Sequence, residues 1–135
     1  MKYFIVLFLG FLIISCELDV KDENVNFVKI EAYNVQIPEE LVVNQEYDVS
    51  FDYKLKSDCM HFYNVSFDFP ADNIREITAF AEMESTRNCM NVYTEHTYTF
   101  YFKPMDPGVY ILKFWVGKNS DGTDEFETYE ISVVE

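Results

Sequence analysis

Basic residues, glycine, proline and histidine are all scarce in this chain of 135 residues. Ten Lys and Arg stand against 24 Asp and Glu, a formal net charge of −14 with a pI near 4.3. A surface so poor in cations excludes nucleic-acid binding, which needs clustered Lys and Arg against phosphate. Of the four glycines, Gly108, Gly117 and Gly122 follow the N-terminal segment, too few to build a phosphate-cradling loop. There is no Gly-x-Ser-x-Gly and no His-Glu-x-x-His. The two histidines, His61 and His96, fall in aromatic-rich stretches and read as packed, hydrogen-bonded residues rather than bases. Glu39 and Glu40 read as surface solvation rather than as a glycosidase pair. These absences lead us to expect no enzyme and no cofactor. No apolar run reaches the roughly 20 residues of a membrane-spanning helix, and there are no heptads and no low-complexity tract.

What remains is 49% hydrophobic and 18% aromatic, too apolar for a disordered acidic tail. The length allows one domain with one core. Lys2, an apolar run from Tyr3 to Ile14, and then Ser15 and Cys16 make a secretory signal. The run Ile13-Ile14-Ser15-Cys16 resembles the bacterial lipobox. That resemblance implies lipidation of Cys16 and attachment to the membrane through an N-terminal lipid. Several acyl chains on one Cys anchor stably, at about 0.8 kcal/mol per buried methylene. Glu17, Asp19, Asp22 and Glu23 follow at once. This acidic run is similar to the surface-export signal of Bacteroidota lipoproteins, which implies the outer face of the outer membrane; as residues alone they read equally well as a solvated spacer. Residues 17–26 span on the order of 18 Å as a flexible coil. The expected organisation is a signal at 1–15, a lipidated Cys and acidic tether at 16–26, and one domain at 27–135.

After residue 26 the dominant pattern is period-two alternation. Tyr47, Val49, Phe51, Tyr53 and Leu55 alternate with Asp48, Ser50, Asp52 and Lys54. Tyr63, Val65, Phe67 and Phe69 do the same, as do Val92, His96, Tyr98, Phe100 and Phe102. Residues 109–116 are apolar on both faces, as a central strand is, and 126–134 close the chain. Weaker strands fit 27–33, 35–37 and 74–81, the last also admitting a short helix. The expected fold is all-β: an immunoglobulin-like two-sheet sandwich of seven to eight antiparallel strands. Asp106-Pro107-Gly108-Val109-Tyr110 resembles the tyrosine corner, which implies a role for Asp106, Gly108 and Tyr110 in bonding hydroxyl to backbone before the sixth strand. The antibody disulfide is absent, since Leu112 stands where its second Cys would be. Strand order puts Cys59, Cys89 and the hairpin 117–123 at one pole, and Pro38, Pro70, Pro104 and Pro107 at the other. With Cys59 and Cys89 framing the middle, and Gly108-Val109-Tyr110 followed by Lys113-Phe114-Trp115-Val116-Gly117-Lys118 and Asp121-Gly122, the chain resembles small lipoproteins of Bacteroidota. The resemblance implies an extracytoplasmic β-sandwich and carries no activity with it.

An exported pair of cysteines reads first as a disulfide, Cys59 to Cys89. The sharper alternative is a soft-metal site for copper from Cys59, Met60, His61, Cys89 and Met90, with His96 nearby. Alternation argues against it, because adjacent Cys and Met point to opposite faces of a strand. Residues 119–125 read as a hairpin turn before a calcium loop. The aromatic residues read mainly as core, but Trp115, with Tyr101 or Tyr129, is a possible binding surface on an outer sheet face. The expected function is a lipid-anchored envelope module, bound to the outer membrane and exposed at the cell surface, that binds a protein or a glycan. Two alternatives are copper handling and an inhibitor or immunity-type protein steered onto a basic enzyme. Residues 17–135 purified from an oxidising compartment are expected to weigh two hydrogens less than the reduced chain and to resist alkylation. Two alkylatable thiols and a stoichiometric copper adduct in the mass spectrum would instead make the cysteine pole the functional site.

Overall fold

A computed structural model describes residues 25–85 and 87–135; the signal, Cys16 and residues 17–24 of the tether lie outside the described residues. Nine strands follow one another without a helix among the described residues: β1 (Val25–Ile30), β2 (Ala32–Gln36), β3 (Glu40–Val42), β4 (Tyr47–Leu55), β5 (Met60–Ala71), β6 (Ile74–Glu84), β7 (Thr94–Phe102), β8 (Gly108–Lys118) and β9 (Asp124–Val134). They form two sheets. In the larger, the order is β1-β6-β8-β9-β3, with β5 on the other edge of β6; in the smaller it is β2-β4-β7.

Alternation accounts for the strands that the sequence marks most clearly. In β4, Val49, Phe51 and Tyr53 are buried while Asp48 and Lys54 face outward, the division a half-buried strand makes. In the central strands β6 and β8 the alternation breaks only where an outward side chain is covered as well. Ile77, Thr78 and Ala79 are buried in succession, as are Phe114 and Trp115. The core joins the sheets through Phe51 and Phe114, whose rings meet edge to face at 5.7 Å. Tyr129 meets Phe114 in the same manner at 5.8 Å. Burying side chains such as Leu41, Ile77 and Leu112 contributes about 1.5–3 kcal/mol each relative to exposure.

Several expectations are corrected. The count is nine, not seven or eight. Residues 27–33 are two strands, because the chain turns at Glu31 and passes from one sheet to the other. Val25 and Asn26, assigned to the tether, pair with Glu84 and Met83. Residues 74–81 belong to a strand, since β5 and β6 pair antiparallel across a two-residue turn. Pro70 lies in β5 rather than in a loop. The strands are not all antiparallel: β3 runs parallel to β9, and Ile74–Ile77 run parallel to Ile111–Phe114. The second pairing sets β6 between β5 and β8, where an immunoglobulin sandwich would place its fourth strand in the other sheet. Asn73 holds that junction. Its carbonyl accepts from the Ile111 amide at 2.8 Å, and its side-chain amide donates to the Val109 carbonyl at 2.9 Å.

The turn before β8 depends on Tyr110. Its hydroxyl accepts from the backbone amide of Asp106 at 3.3 Å, and its ring packs edge to face on Phe102 at 5.5 Å. Between them Gly108 adopts φ 130°, a conformation other residues rarely reach. Replacing Tyr110 with Phe is expected to cost about 1 kcal/mol, the net worth of one hydrogen bond. Tyr110→Ala, which also empties the ring's place in the core, is expected to cost about 3–5 kcal/mol. Urea midpoints for the two variants measure both; a Tyr110→Phe midpoint equal to that of the unsubstituted protein would mean that the hydroxyl contributes nothing.

Candidate functional site

Cys59 and Cys89 are joined by a disulfide at one pole of the sandwich. Asp58 fastens the segment carrying Cys89. Its carboxylate accepts from the Met90 amide at 2.8 Å and pairs with Arg87 at 3.3 Å, and its backbone amide donates to the Met90 carbonyl. Arg87 also donates to Glu84, and His61 reaches the other Glu84 oxygen at 3.4 Å. Asp58, Cys59 and Cys89 thus cluster within 4.8 Å, but the sulfurs are bonded to each other and the carboxylate is engaged. The copper donors are not brought together. Met60 packs toward the core, Met90 is exposed, and His96 stacks on Tyr53 and contacts the Thr94 hydroxyl. The pole is a structural latch.

The hairpin 119–123 is likewise self-contained. The Asn119 amide donates to the Thr123 carbonyl, and Asp121 accepts from both the amide and the hydroxyl of Thr123. These bonds hold the Asp121 carboxyl below its ordinary range.

The expected aromatic surface of Trp115, Tyr101 and Tyr129 does not exist as one surface. Trp115 does face outward from the larger sheet, yet it is only 6% exposed. Its ring lies under the Lys29 ammonium at 5.6 Å, and its Nε1 donates to Asp124 at 2.9 Å. Lys29 and Asp124 close over it with a 2.6 Å ion pair. Tyr129 faces the core; burial, aided by neighbouring Glu127, pushes its hydroxyl up to about 12. Tyr101 stands on the outer face of the smaller sheet, 77% exposed. A period-two pattern assigns a face, but it does not show what a neighbouring strand lays across that face.

Two concavities stand out among the described residues. A cleft of about 620 Å³ lies between β1–β2 and the start of β9 and is lined by Lys29, Lys54, Lys56, Glu31, Tyr33 and Phe126, among others. Each of its lysines is already paired, with Asp124, Glu95 and Glu31 in turn. The cleft therefore offers a ligand no unpaired lysine, and Glu125 and Glu127 add negative charge to its lining. The other is an apolar crevice of about 310 Å³ between β5 and β7, lined by Phe67, Phe69, Arg75, Phe100, Tyr101, Phe102 and Leu112. Phe67 and Phe100 meet edge to face at 5.0 Å at its floor. Phe69 is 65% exposed at its rim. Arg75 lies across Phe69 at 4.6 Å and gives its Nη1 protons to the carbonyls of Asp72 and Ile74. The crevice thus exposes aromatic rings around an apolar hollow. Alternation had placed Phe67, Phe69 and Phe100 in the core, and the absence, among the described residues, of a strand opposite the end of β5 leaves Phe69 at the surface.

No protein-family model, no curated protein and no solved structure matches the chain.

The single tryptophan makes the Lys29–Trp115–Asp124 cluster measurable. Hydrogen bonds from Lys29, and secondarily from Trp115, hold the Asp124 carboxyl below its ordinary range. A depressed carboxyl contributes fully above its unfolded value, and that contribution is lost as pH falls through the folded one. Trp115 emission is expected to stay blue and constant from pH 7 to about 4, the ordinary carboxyl value, and to shift red only below it. A red shift centred above that value would refute the cluster.

Proposed function

We propose that this chain is a non-catalytic lipoprotein of the bacterial cell envelope, anchored to the outer membrane through Cys16 and exposed at the cell surface. Its immunoglobulin-like sandwich acts as a binding or accessory module for a protein or a glycan. The observation that carries the binding role is the apolar crevice between β5 and β7, with Phe69 and Tyr101 standing out at its rim. The immunoglobulin-like reading draws support from the β2-β4-β7 sheet, from β3 running parallel to the last strand, and from the Tyr110 hydroxyl bonded to the Asp106 amide. The parallel β6–β8 pair is its departure from that pattern. Anchorage draws support from the lipobox-like run before Cys16 and from the start of β1. Val25 pairs with Glu84 beside the disulfide, so a lipid on Cys16 would hold that pole toward the membrane. Phe69, Arg75 and Phe102 lie toward the opposite pole and would face outward.

A photo-crosslinking phenylalanine analogue at position 69 or 101, introduced in the producing cells, is expected to trap discrete adducts. The same analogue at Thr128, exposed on the far face of the larger sheet, is expected to trap none. Protease and glycosidase digestion of the adducts separates protein from glycan. Adducts absent from 69 and 101, or equal at all three positions, would overturn the binding reading.

A further inference from the structure

The sheets are unequal, six strands against three, and the shortfall lies along one side. There β5 is the edge of the larger sheet and β7 the edge of the smaller, and the contacts of Phe62 with Tyr98 and of Phe67 with Phe100 hold the two edges together. Among the described residues, no strand pairs with the outer side of β7, and none covers Phe69 from the smaller sheet.

β7 lacks the devices that keep an edge from pairing. Natural edges are blunted by Lys, Pro or a bulge. β5 has Pro70 and two register shifts, and β2 has one. β7 pairs with β4 through nine consecutive residues without a shift, and Thr94–Phe102 contains no Pro, Lys or Arg. A strand added beside it would gain main-chain hydrogen bonds, and its inward side chains would settle on Phe67, Phe69 and Phe100. Its outward side chains would meet Thr99 and Tyr101 at the margin of a face carrying Asp48, Asp52 and Glu95, of which Glu95 is paired with Lys54, with Arg75 in the crevice and Lys103 just past β7 as the neighbouring cations. With a chain charge of −14, complementarity favours basic residues there.

We propose that β7 accepts an extended, basic segment of a partner polypeptide as the fourth strand of the smaller sheet, closing the crevice. The inference rests on the binding-module reading and names the class of partner. The probe is a ten-residue peptide of alternating Val and Lys, added to the full-length lipoprotein in detergent micelles. Amide hydrogen exchange over residues 94–102 is expected to slow at least tenfold. The same peptide N-methylated at alternate residues, and a Val/Glu peptide, are each expected to bind at least tenfold more weakly. The exposed pair of substitutions Thr99→Lys and Tyr101→Lys is expected to shift preference toward the Val/Glu peptide. Equal binding by the N-methylated peptide, protection away from β7, or no binding would each overturn the proposal. So would β7 protection in the protein alone, whether it grows with concentration (a second copy) or disappears on deletion of residues 17–24 (the tether). Crosslinks at 69 and 101 without strand binding would overturn this inference and leave the binding role standing. Their absence would overturn the binding role itself.

Discussion

The edge contact between Phe51 and Phe114 is the interaction on which this structure turns, because it brings the centres of two unequal sheets together. Phe51 also touches Tyr53 and Tyr98 on its own sheet, and Phe114 touches Tyr129 on the other. The rings form a continuous apolar layer in which tilted and edge-on geometries recur, as the quadrupole of an aromatic ring favours. Strands on either side inherit their register from that layer. A one-residue slip in β4 or β8 would turn Phe51 or Phe114 to the outside.

The same layer explains why one side stays open. Where β4 faces β8 the sheets cover each other completely. Toward β5 the larger sheet extends beyond the smaller one; Phe67 meets Phe100 there, but among the described residues no strand covers the rest of its ring or that of Phe69. A closed sandwich would have buried those rings and hidden the β7 edge. The opening is thus a consequence of sheet inequality rather than of a loop or a mobile lid. That is why the proposed partner is an extended segment.

Charge is handled differently in different places. At the disulfide pole, Asp58, Glu84 and Arg87 are tied to one another and to backbone, around a cross-link that removes roughly 3.5 kcal/mol of loop entropy from the unfolded chain by the usual estimate. Over Trp115, Lys29 and Asp124 act as a polar cover on an aromatic ring. On the smaller sheet, Asp52 is held ionised by hydrogen bonds from Asn34 and Thr97, which keep its carboxyl low. The scarce cations are largely committed to such pairs, so the acidic excess remains available for long-range steering of a basic partner.

Residues alone established an all-β chain, the strands β4, β5, β7, β8 and β9, the hairpin between the last two, and the pairing of Cys59 with Cys89. These follow from period-two alternation, turn chemistry and the tendency of an even pair of cysteines to join, all local or nearly so. The break at Glu31, the short β3, the parallel pairing of β6 with β8 and the covering of Trp115 were not legible. Each depends on which strand lies beside which, and a strand's own pattern says which face is apolar without saying what meets it. The open edge at β7 belongs to the same group. Alternation marked Phe67, Phe69 and Phe100 as inward, and only the count of strands in each sheet decided that part of that inward face meets solvent.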